Sequence, residues 1–171
     1  GEYAGIMTIK AAHKAKGNHH KDTILIPDSA HGTNPATAAS CGFKTKTIAT
    51  AKDGQVDFDA FKEALDDNVA AIMLTNPNTA GLYESRAHEI AEELHKIGAY
   101  FYCDGANYNA IVGKIKPGEF GVDVMHFNLH KTFSTPHGGG GPGSGPIAVC
   151  KDLEPYLPIP RIIKDGDKFK L

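Results

Sequence analysis

Short apolar runs alternate along the chain with stretches whose apolar residues recur at helical spacing. Residues 69–75 are almost wholly apolar, which is typical of a strand buried on both faces of a parallel sheet. In the segment 85–96, Ile90 and Leu94 fall on one helical face, and Gly98 follows just past the expected end. The predicted strands are 23–27, 43–49, 69–75, 99–103, 122–127 and 146–150, and the predicted helices are 35–41, 57–67 (capped by Asp57) and 85–96.

This strand–helix rhythm predicts an α/β domain with a mostly parallel sheet and helices on both faces, a three-layer αβα arrangement. Residues 1–171 are expected to form a single domain, because 171 residues is one domain's worth of chain. The segment from Pro155 onward is rich in proline and charge and is predicted to be a connector.

Composition limits the classes of molecule that the protein is expected to bind. The net charge is -2, so the basic footprint of a nucleic-acid-binding protein is missing, and no apolar run approaches the length of a membrane span. The chain has 3 cysteines at wide spacing, which fit neither a disulfide framework nor a metal-binding pattern. A small molecule or another protein is therefore the expected partner.

Polar residues follow several of the predicted strands. In open α/β sheets, ligands bind beyond the carboxyl ends of the strands, so these positions carry the candidate chemistry. The four polar clusters are 29–33 (SAHGT), 75–78 (TNPN), 104–107 (DGAN) and 128–131 (NLHK).

Three of these residues could bind a flat, aldehyde-bearing cofactor. Lys131 would become a nucleophile if its ammonium were desolvated or placed beside another cation, although a lysine at a strand exit is more often a surface residue. Asp104 follows an apolar strand and needs a partner, for which a protonated pyridine nitrogen would serve; a turn aspartate is the alternative. His31 could stack on a flat ring or simply be a loop histidine.

Two further motifs suggest other functions and are set aside. Residues 138–143 formally satisfy GxGxxG, but a strand follows them where a dinucleotide fingerprint requires a helix. A permissive loop that approaches a ligand or a partner subunit is the preferred interpretation. His126 and His130 are spaced i, i+4, as two zinc ligands on one helical face would be. However, His126 lies in a predicted strand, and no acidic third ligand is near in sequence, so no metal site is predicted.

Taken together, these stretches resemble a known family. Residues 29–35 (SAHGTNP), 104–107 (DGAN), 126–133 (HFNLHKTF) and 136–143 (PHGGGGPG) are similar to the P-proteins of the glycine cleavage system, and the opening GEYAG adds to the likeness. The resemblance covers nearly the whole chain. It implies a pyridoxal-phosphate (PLP)-dependent transferase-like fold (fold type I), with pyridoxal 5'-phosphate as the cofactor.

The resemblance also implies a role for each matching residue. Lys131 would hold the cofactor as a Schiff base, Asp104 would pair with the pyridinium nitrogen, His31 and Ala106 would cover the two ring faces, Asn107 would lie near the phenolic oxygen, and His130 would lie near the phosphate.

The activity implied by the resemblance is decarboxylation of glycine with transfer of the aminomethyl group to the lipoyl arm of the H-protein. The implied partners are glycine, lipoylated H-protein, and either the other P-protein subunit in a heterotetramer or a second copy in a homodimer. The chain is similar to the lysine-carrying subunit 2 of split forms, or to the matching part of a single-chain form. The implied location is the cytoplasm in bacteria, or the mitochondrion in eukaryotes.

The matching region is the central part of the PLP-binding large domain. The family's phosphate-binding turn precedes the position matching Gly1, and a C-terminal small domain follows the matched region. We therefore expect residues 1–171 alone to bind PLP poorly and to turn over slowly or not at all.

Other functions remain open on the sequence alone. Another fold-type-I enzyme, such as a cysteine desulfurase or an aminotransferase, is the main alternative, although an aminotransferase normally needs an arginine for the substrate carboxylate and only Arg86 and Arg161 are present. A scaffold subunit without catalysis would have little reason to keep both Lys131 and Asp104. A nucleotide-binding module is disfavoured by the context of the glycine-rich loop.

Overall fold

The computed structural model describes residues 1–140 and 144–171 and contains a six-stranded sheet in the order β2-β1-β3-β4-β5-β6. The first five strands pair in parallel, and β6 joins the edge antiparallel to β5. The strands are β1 Thr23–Pro27, β2 Lys44–Ile48, β3 Val69–Thr75, β4 Tyr100–Gly105, β5 Val124–Phe127, β6 Ile147–Val149, β7 Ile163–Asp165 and β8 Lys168–Lys170. The α-helices are α1 Glu2–Ala15, α2 Thr33–Ser40, α3 Phe58–Ala64, α4 Ala87–Lys96 and α5 Leu129–Thr132, and short 3-10 helices span Tyr108–Ala110, Pro117–Phe120 and Lys151–Tyr156.

Helices cover both faces of the sheet, which confirms the predicted α/β class. One core packs α3 and α4, through side chains such as Phe61 and Leu94, against one face. The other core packs α1 and α2 against the opposite face, with Ile6 and Ile9 among its members. Every residue of β3 is buried, as its apolar sequence predicts, because this central strand contributes to both cores.

The structure differs from the predicted elements mainly at helix ends and at the two ends of the chain. Asp57 caps α3 as expected, accepting hydrogen bonds from the backbone N–H groups of Asp59 and Ala60, but the helix ends at Ala64 because Leu65 is extended. Helix α1 was not predicted. The segment after Pro155 holds a hairpin, β7–β8, whose residues are all exposed, where a plain connector was expected.

Strand register brings polar residues together at the carboxyl edge of the sheet. Thr75 at the end of β3 pairs with Asp104 on β4, and Asp104 pairs in turn with His126 on β5. Gly105 allows β4 and β5 to approach here, since a Cβ at this position would collide with the carbonyl oxygen of His126. Three polar side chains on adjacent strands therefore meet at one edge.

Candidate active site

A pocket of about 310 Å³ opens at this edge of the sheet. It brings together five of the six predicted site residues, which come from three separate segments of the chain: His31, Asp104, Ala106, Asn107 and Lys131. Three of the remaining lining residues belong to the predicted polar clusters without having been assigned a role: Thr33, Thr75 and Asn128. The other three lie outside those clusters: Glu2, Thr79 and His126.

Asp104 is the buried acid of the pocket, with 2% of its surface exposed. Its Oδ1 accepts a hydrogen bond from the backbone N–H of Ala106 at 2.9 Å and lies 3.4 Å from Nδ1 of His126. Within residues 1–140 and 144–171, no lysine or arginine forms an ion pair with this carboxylate. A buried carboxylate without a full cationic partner is costly, so the site favours a ligand that brings a positive charge.

Thr75 supplies a second unsatisfied group. Its side chain is buried and lines the pocket, and its Oγ1 has no hydrogen-bond partner in the described part of the chain. Buried hydroxyls are nearly always paired, so an orphan inside a pocket indicates that a ligand or a water supplies the partner. Thr75 and Asp104 together present polar atoms that await a bound molecule.

His126 is the functional residue that sequence reasoning missed. Its Nδ1 lies 2.8 Å from the Tyr102 hydroxyl, and its Nε2 lies 3.2 Å from Oδ1 of Asn128. Burial lowers the pKa of His126, while the charges of Asp104 and Glu2 oppose that shift. The available signal was a histidine within the apolar strand Val124–Phe127, but its role depends on the strand register that places it beside Asp104.

Lys131 enters the pocket from the short helix α5, which starts directly after β5. The backbone carbonyl of Asn128 accepts hydrogen bonds from the N–H groups of Lys131 and Thr132, and so fixes the turn that carries the lysine. No carboxylate among the described residues forms an ion pair with its ammonium. The amine is thus left available to a ligand.

His130 is not among the residues that line the pocket. Its ring packs edge to face against His137, with 4.7 Å between the ring centroids. The predicted position of His130 near a cofactor phosphate stays a prediction, and the structure places its neighbour Lys131 in the pocket instead.

His31 and Asn107 reach the pocket with part of their hydrogen-bonding capacity already used. Nδ1 of His31 lies 3.0 Å from Oγ1 of Thr33 and 3.2 Å from the backbone nitrogen of Thr33, so the neighbouring turn engages this ring nitrogen. The amide of Asn107 donates to the carbonyl oxygens of Pro77 and Asn78 at 3.0 and 3.1 Å. With both amide hydrogens engaged, only Oδ1 of Asn107 remains for a ligand.

The glycine-rich stretch is only partly described. Gly138, Gly139 and Gly140 adopt positive φ angles of 64°, 71° and 107°, which agrees with the permissive loop expected there. Residues 141–143 of the predicted loop lie outside the described residues.

Metal ions and membrane-spanning helices each require a particular arrangement of residues. No group of three or more His, Cys, Asp or Glu side chains is arranged to hold a metal ion. No described helix is long and apolar enough to cross a membrane.

Comparison with known proteins defines the class. Residues 4–140 match the family model of class-V aminotransferases, and the chain belongs to this family. Two crystal structures share the fold. Glycine decarboxylase (P-protein) of the glycine cleavage system, in inhibitor-bound form, has a TM-score of 0.75 at 22% identity over 98% of this chain and 37% of that one. Aspartate aminotransferase from Thermus thermophilus with maleate has a TM-score of 0.70 at 14% identity over 91% and 41%.

The predicted relationship to glycine dehydrogenases is confirmed by curated relatives. The chain is 61% identical to the probable glycine dehydrogenase (decarboxylating) subunit 2 of Aquifex aeolicus, over 100% of this chain and 36% of that protein. It is 57% identical to the corresponding Caulobacter vibrioides protein, over 100% of this chain and 33% of that protein. The chain thus spans about a third of the length of these relatives.

The family implies pyridoxal phosphate as the cofactor, and the residues of the pocket fit that group. The free amine of Lys131 suits an aldehyde, and the buried carboxylate of Asp104 suits a protonated ring nitrogen. The unpaired hydroxyl of Thr75 adds a polar contact that the protein alone does not satisfy.

Proposed function

We propose that this chain forms the cofactor-anchoring part of a PLP-dependent glycine dehydrogenase (decarboxylating). The proposal rests on one observation, namely that Lys131 and Asp104 line the same pocket. The identities of 61% and 57% to glycine dehydrogenase subunits over the whole of this chain support the choice of reaction.

Each pocket residue has a proposed task. Lys131 would hold the aldehyde of the cofactor covalently, and Asp104 would accept a hydrogen bond from its protonated ring nitrogen. When bound, the cofactor supplies an electron sink for loss of CO2 from glycine. His31 and Ala106 would cover the two ring faces, and Asn107 would present its Oδ1 near the ring edge.

The hydrogen bond that Asp104 accepts from the Ala106 N–H supports this role, because it fixes the orientation of the carboxylate without neutralising its charge. A fixed carboxylate in a buried site stabilises the positive ring nitrogen without having to reorient as charge moves. The phosphate contact proposed for His130 is the least supported role, because His130 does not line the pocket.

The partners follow from the proposed reaction. Glycine loses CO2, its aminomethyl carbon forms a bond to one sulfur of a lipoyl disulfide on the H-protein, and the second sulfur leaves as a thiol. The other P-protein subunit or a second copy of the chain would complete the enzyme. We also propose that residues 1–171 belong to the large domain of a longer enzyme, and that it acts in the bacterial cytoplasm.

A second fold-type-I activity, such as that of an aminotransferase, is the alternative. The fold is shared with aspartate aminotransferase, but neither arginine of this chain lines the pocket. Arg86 pairs with Glu89 and lies over the ring of Phe58, and Arg161 contacts Glu154. Among the described residues, no guanidinium therefore lies in the pocket to bind the substrate carboxylate.

Borohydride reduction of the full-length gene product with PLP, followed by peptide mapping, tests the proposal. We expect the reduced pyridoxyl group on Lys131, loss of labelling in Lys131→Ala, and normal labelling in Lys151→Ala, which removes an exposed lysine. The same protein should release CO2 from glycine in preference to other amino acids. Labelling at another lysine, or transamination without CO2 release, would overturn the proposal.

A further inference from the structure

Three buried or half-buried side chains form a hydrogen-bonded row beside Asp104. His126, which is 5% exposed, stands between the Tyr102 hydroxyl at 2.8 Å from Nδ1 and the Asn128 Oδ1 at 3.2 Å from Nε2. The same Nδ1 is 3.4 Å from Oδ1 of Asp104. The imidazole therefore has two competing neighbours at one nitrogen and a single neighbour at the other.

The neighbour at Nε2 decides where the imidazole proton lies. In the orientation that the structure gives the Asn128 amide, Oδ1 faces Nε2 of His126, and in this orientation Nε2 donates to it. A neutral imidazole has only one N–H, which leaves Nδ1 as an acceptor. Tyr102 then donates its hydroxyl proton to Nδ1, and Asp104 receives no proton from the histidine.

From this arrangement, we propose that Tyr102 and Asn128 hold His126 in the neutral, Nε2-protonated form and so keep the negative charge of Asp104 free for a cationic ring nitrogen. His126 is thus a positioning residue that acts through Asp104. The proposal rests on the proposed function in one respect, namely that Asp104 faces the ring nitrogen of the cofactor.

Opposing effects act on the pKa of His126. Burial lowers its pKa, and the charges of Asp104 and Glu2 raise it. Burial also raises the pKa of Tyr102, so its hydroxyl keeps the proton that it donates. Removing that hydroxyl should favour protonation of Nδ1, because Nδ1 would then be free to take a proton and donate it to Asp104.

Nitrogen NMR of the histidine side chains in the full-length gene product tests this directly. In the wild type at pH 7, we expect His126 to be neutral with the proton on Nε2, its signals being assigned by their loss in His126→Gln. In Tyr102→Phe, we expect a proton to appear on Nδ1 as the pH is lowered. Tyr100→Phe is the matched control, because the Tyr100 hydroxyl bonds instead to Lys16 and Asp152.

Affinity for PLP provides the second readout. Neutralising Asp104 removes a charged hydrogen bond to the ring, so Tyr102→Phe should bind PLP about tenfold more weakly, and the deficit should grow as the pH falls. The Tyr100→Phe control should bind as the wild type does.

A wild-type His126 that is protonated at Nδ1 at neutral pH would overturn the proposal. So would weaker PLP binding in Tyr102→Phe with an unchanged His126 tautomer, since the loss would then come from packing. These outcomes are distinct from a failure of the proposed function, which borohydride labelling away from Lys131 would reveal without altering the tautomer of His126.

Discussion

Thr75 and Asp104 are register partners on β3 and β4, and both side chains line the pocket. Asp104 has a hydrogen bond from the Ala106 N–H, whereas the Thr75 hydroxyl has no partner within the described residues. The pair therefore places an unpaired hydroxyl beside a carboxylate that has no lysine or arginine partner among the described residues. A molecule bound there gains contacts that folding alone does not provide.

Replacing Thr75 with valine should separate stability from binding. Without a ligand, Thr75→Val removes an unpaired buried hydroxyl, so the free energy of unfolding should rise by about 1 kcal/mol. Affinity for PLP should fall by about fivefold, because the lost hydrogen bond is worth about 1 kcal/mol. Urea denaturation without PLP and a fluorescence titration with PLP measure the two effects.

The control for Thr75→Val is Thr79→Val in the same pocket. The Thr79 hydroxyl already donates to the carbonyl oxygen of Ser29 at 2.6 Å, so its removal should lower stability. If both variants destabilised the ligand-free protein equally, the unpaired state of Thr75 would be disproved.

Removing the charge of Asp104 should damage catalysis more than folding. Asp104→Asn keeps an oxygen that can accept the Ala106 N–H, so the turn after β4 should survive. The charged hydrogen bond proposed between Asp104 and the ring nitrogen would be lost, so CO2 release from glycine should fall by roughly 10- to 100-fold. A thermal melt without PLP should be unchanged or slightly higher, since a buried charge has gone. Near-normal turnover would argue against the role of Asp104.

The sequence was sufficient for the parallel sheet and for most of the pocket. The apolar run of β3 indicates a buried central strand, and the polar residues after each strand indicate where the carboxyl edge of the sheet lies. His126 was missed because nothing local distinguishes it from an ordinary strand residue, and Thr75 was predicted only as one member of the polar cluster 75–78. Their significance arises from the register of β3, β4 and β5, which only the folded structure shows.

Helix α1 was missed for a related reason. Its apolar residues Ile6 and Ile9 fit a buried face, but Gly5 weakens the helical signal. In the structure a Cβ on Gly5 would lie 2.9 Å from the ring of Tyr102 and 3.0 Å from Val124. The glycine lets the helix pack closely on the sheet, so tertiary contact overrides local propensity.

A surface network at the opposite end of the sheet should make stability depend on pH. Asp152 accepts hydrogen bonds from Lys16 and Tyr100, which hold its pKa below the usual value. A carboxylate with a lowered folded-state pKa stabilises the protein above its unfolded pKa of about 3.9, and the contribution is lost as the pH falls below that value. The urea midpoint should therefore fall in acid, and Asp152→Asn should reduce this fall. An identical acid dependence in the variant would exclude Asp152 as its source.

The approach of β4 to β5 at Gly105 should be intolerant of any side chain. In Gly105→Ala the new Cβ would collide with the backbone carbonyl of His126, which cannot swing away as a flexible side chain could. We expect a loss of about 3 kcal/mol in the free energy of unfolding and weaker PLP binding, because Asp104 and His126 flank the displaced backbone. Gly118→Ala is the matched control, since a Cβ there meets no atom within 4 Å and the stability should change little. Urea denaturation of both variants measures the two free energies of unfolding. Equal values would show that β4 and β5 can separate at Gly105 without loss of stability.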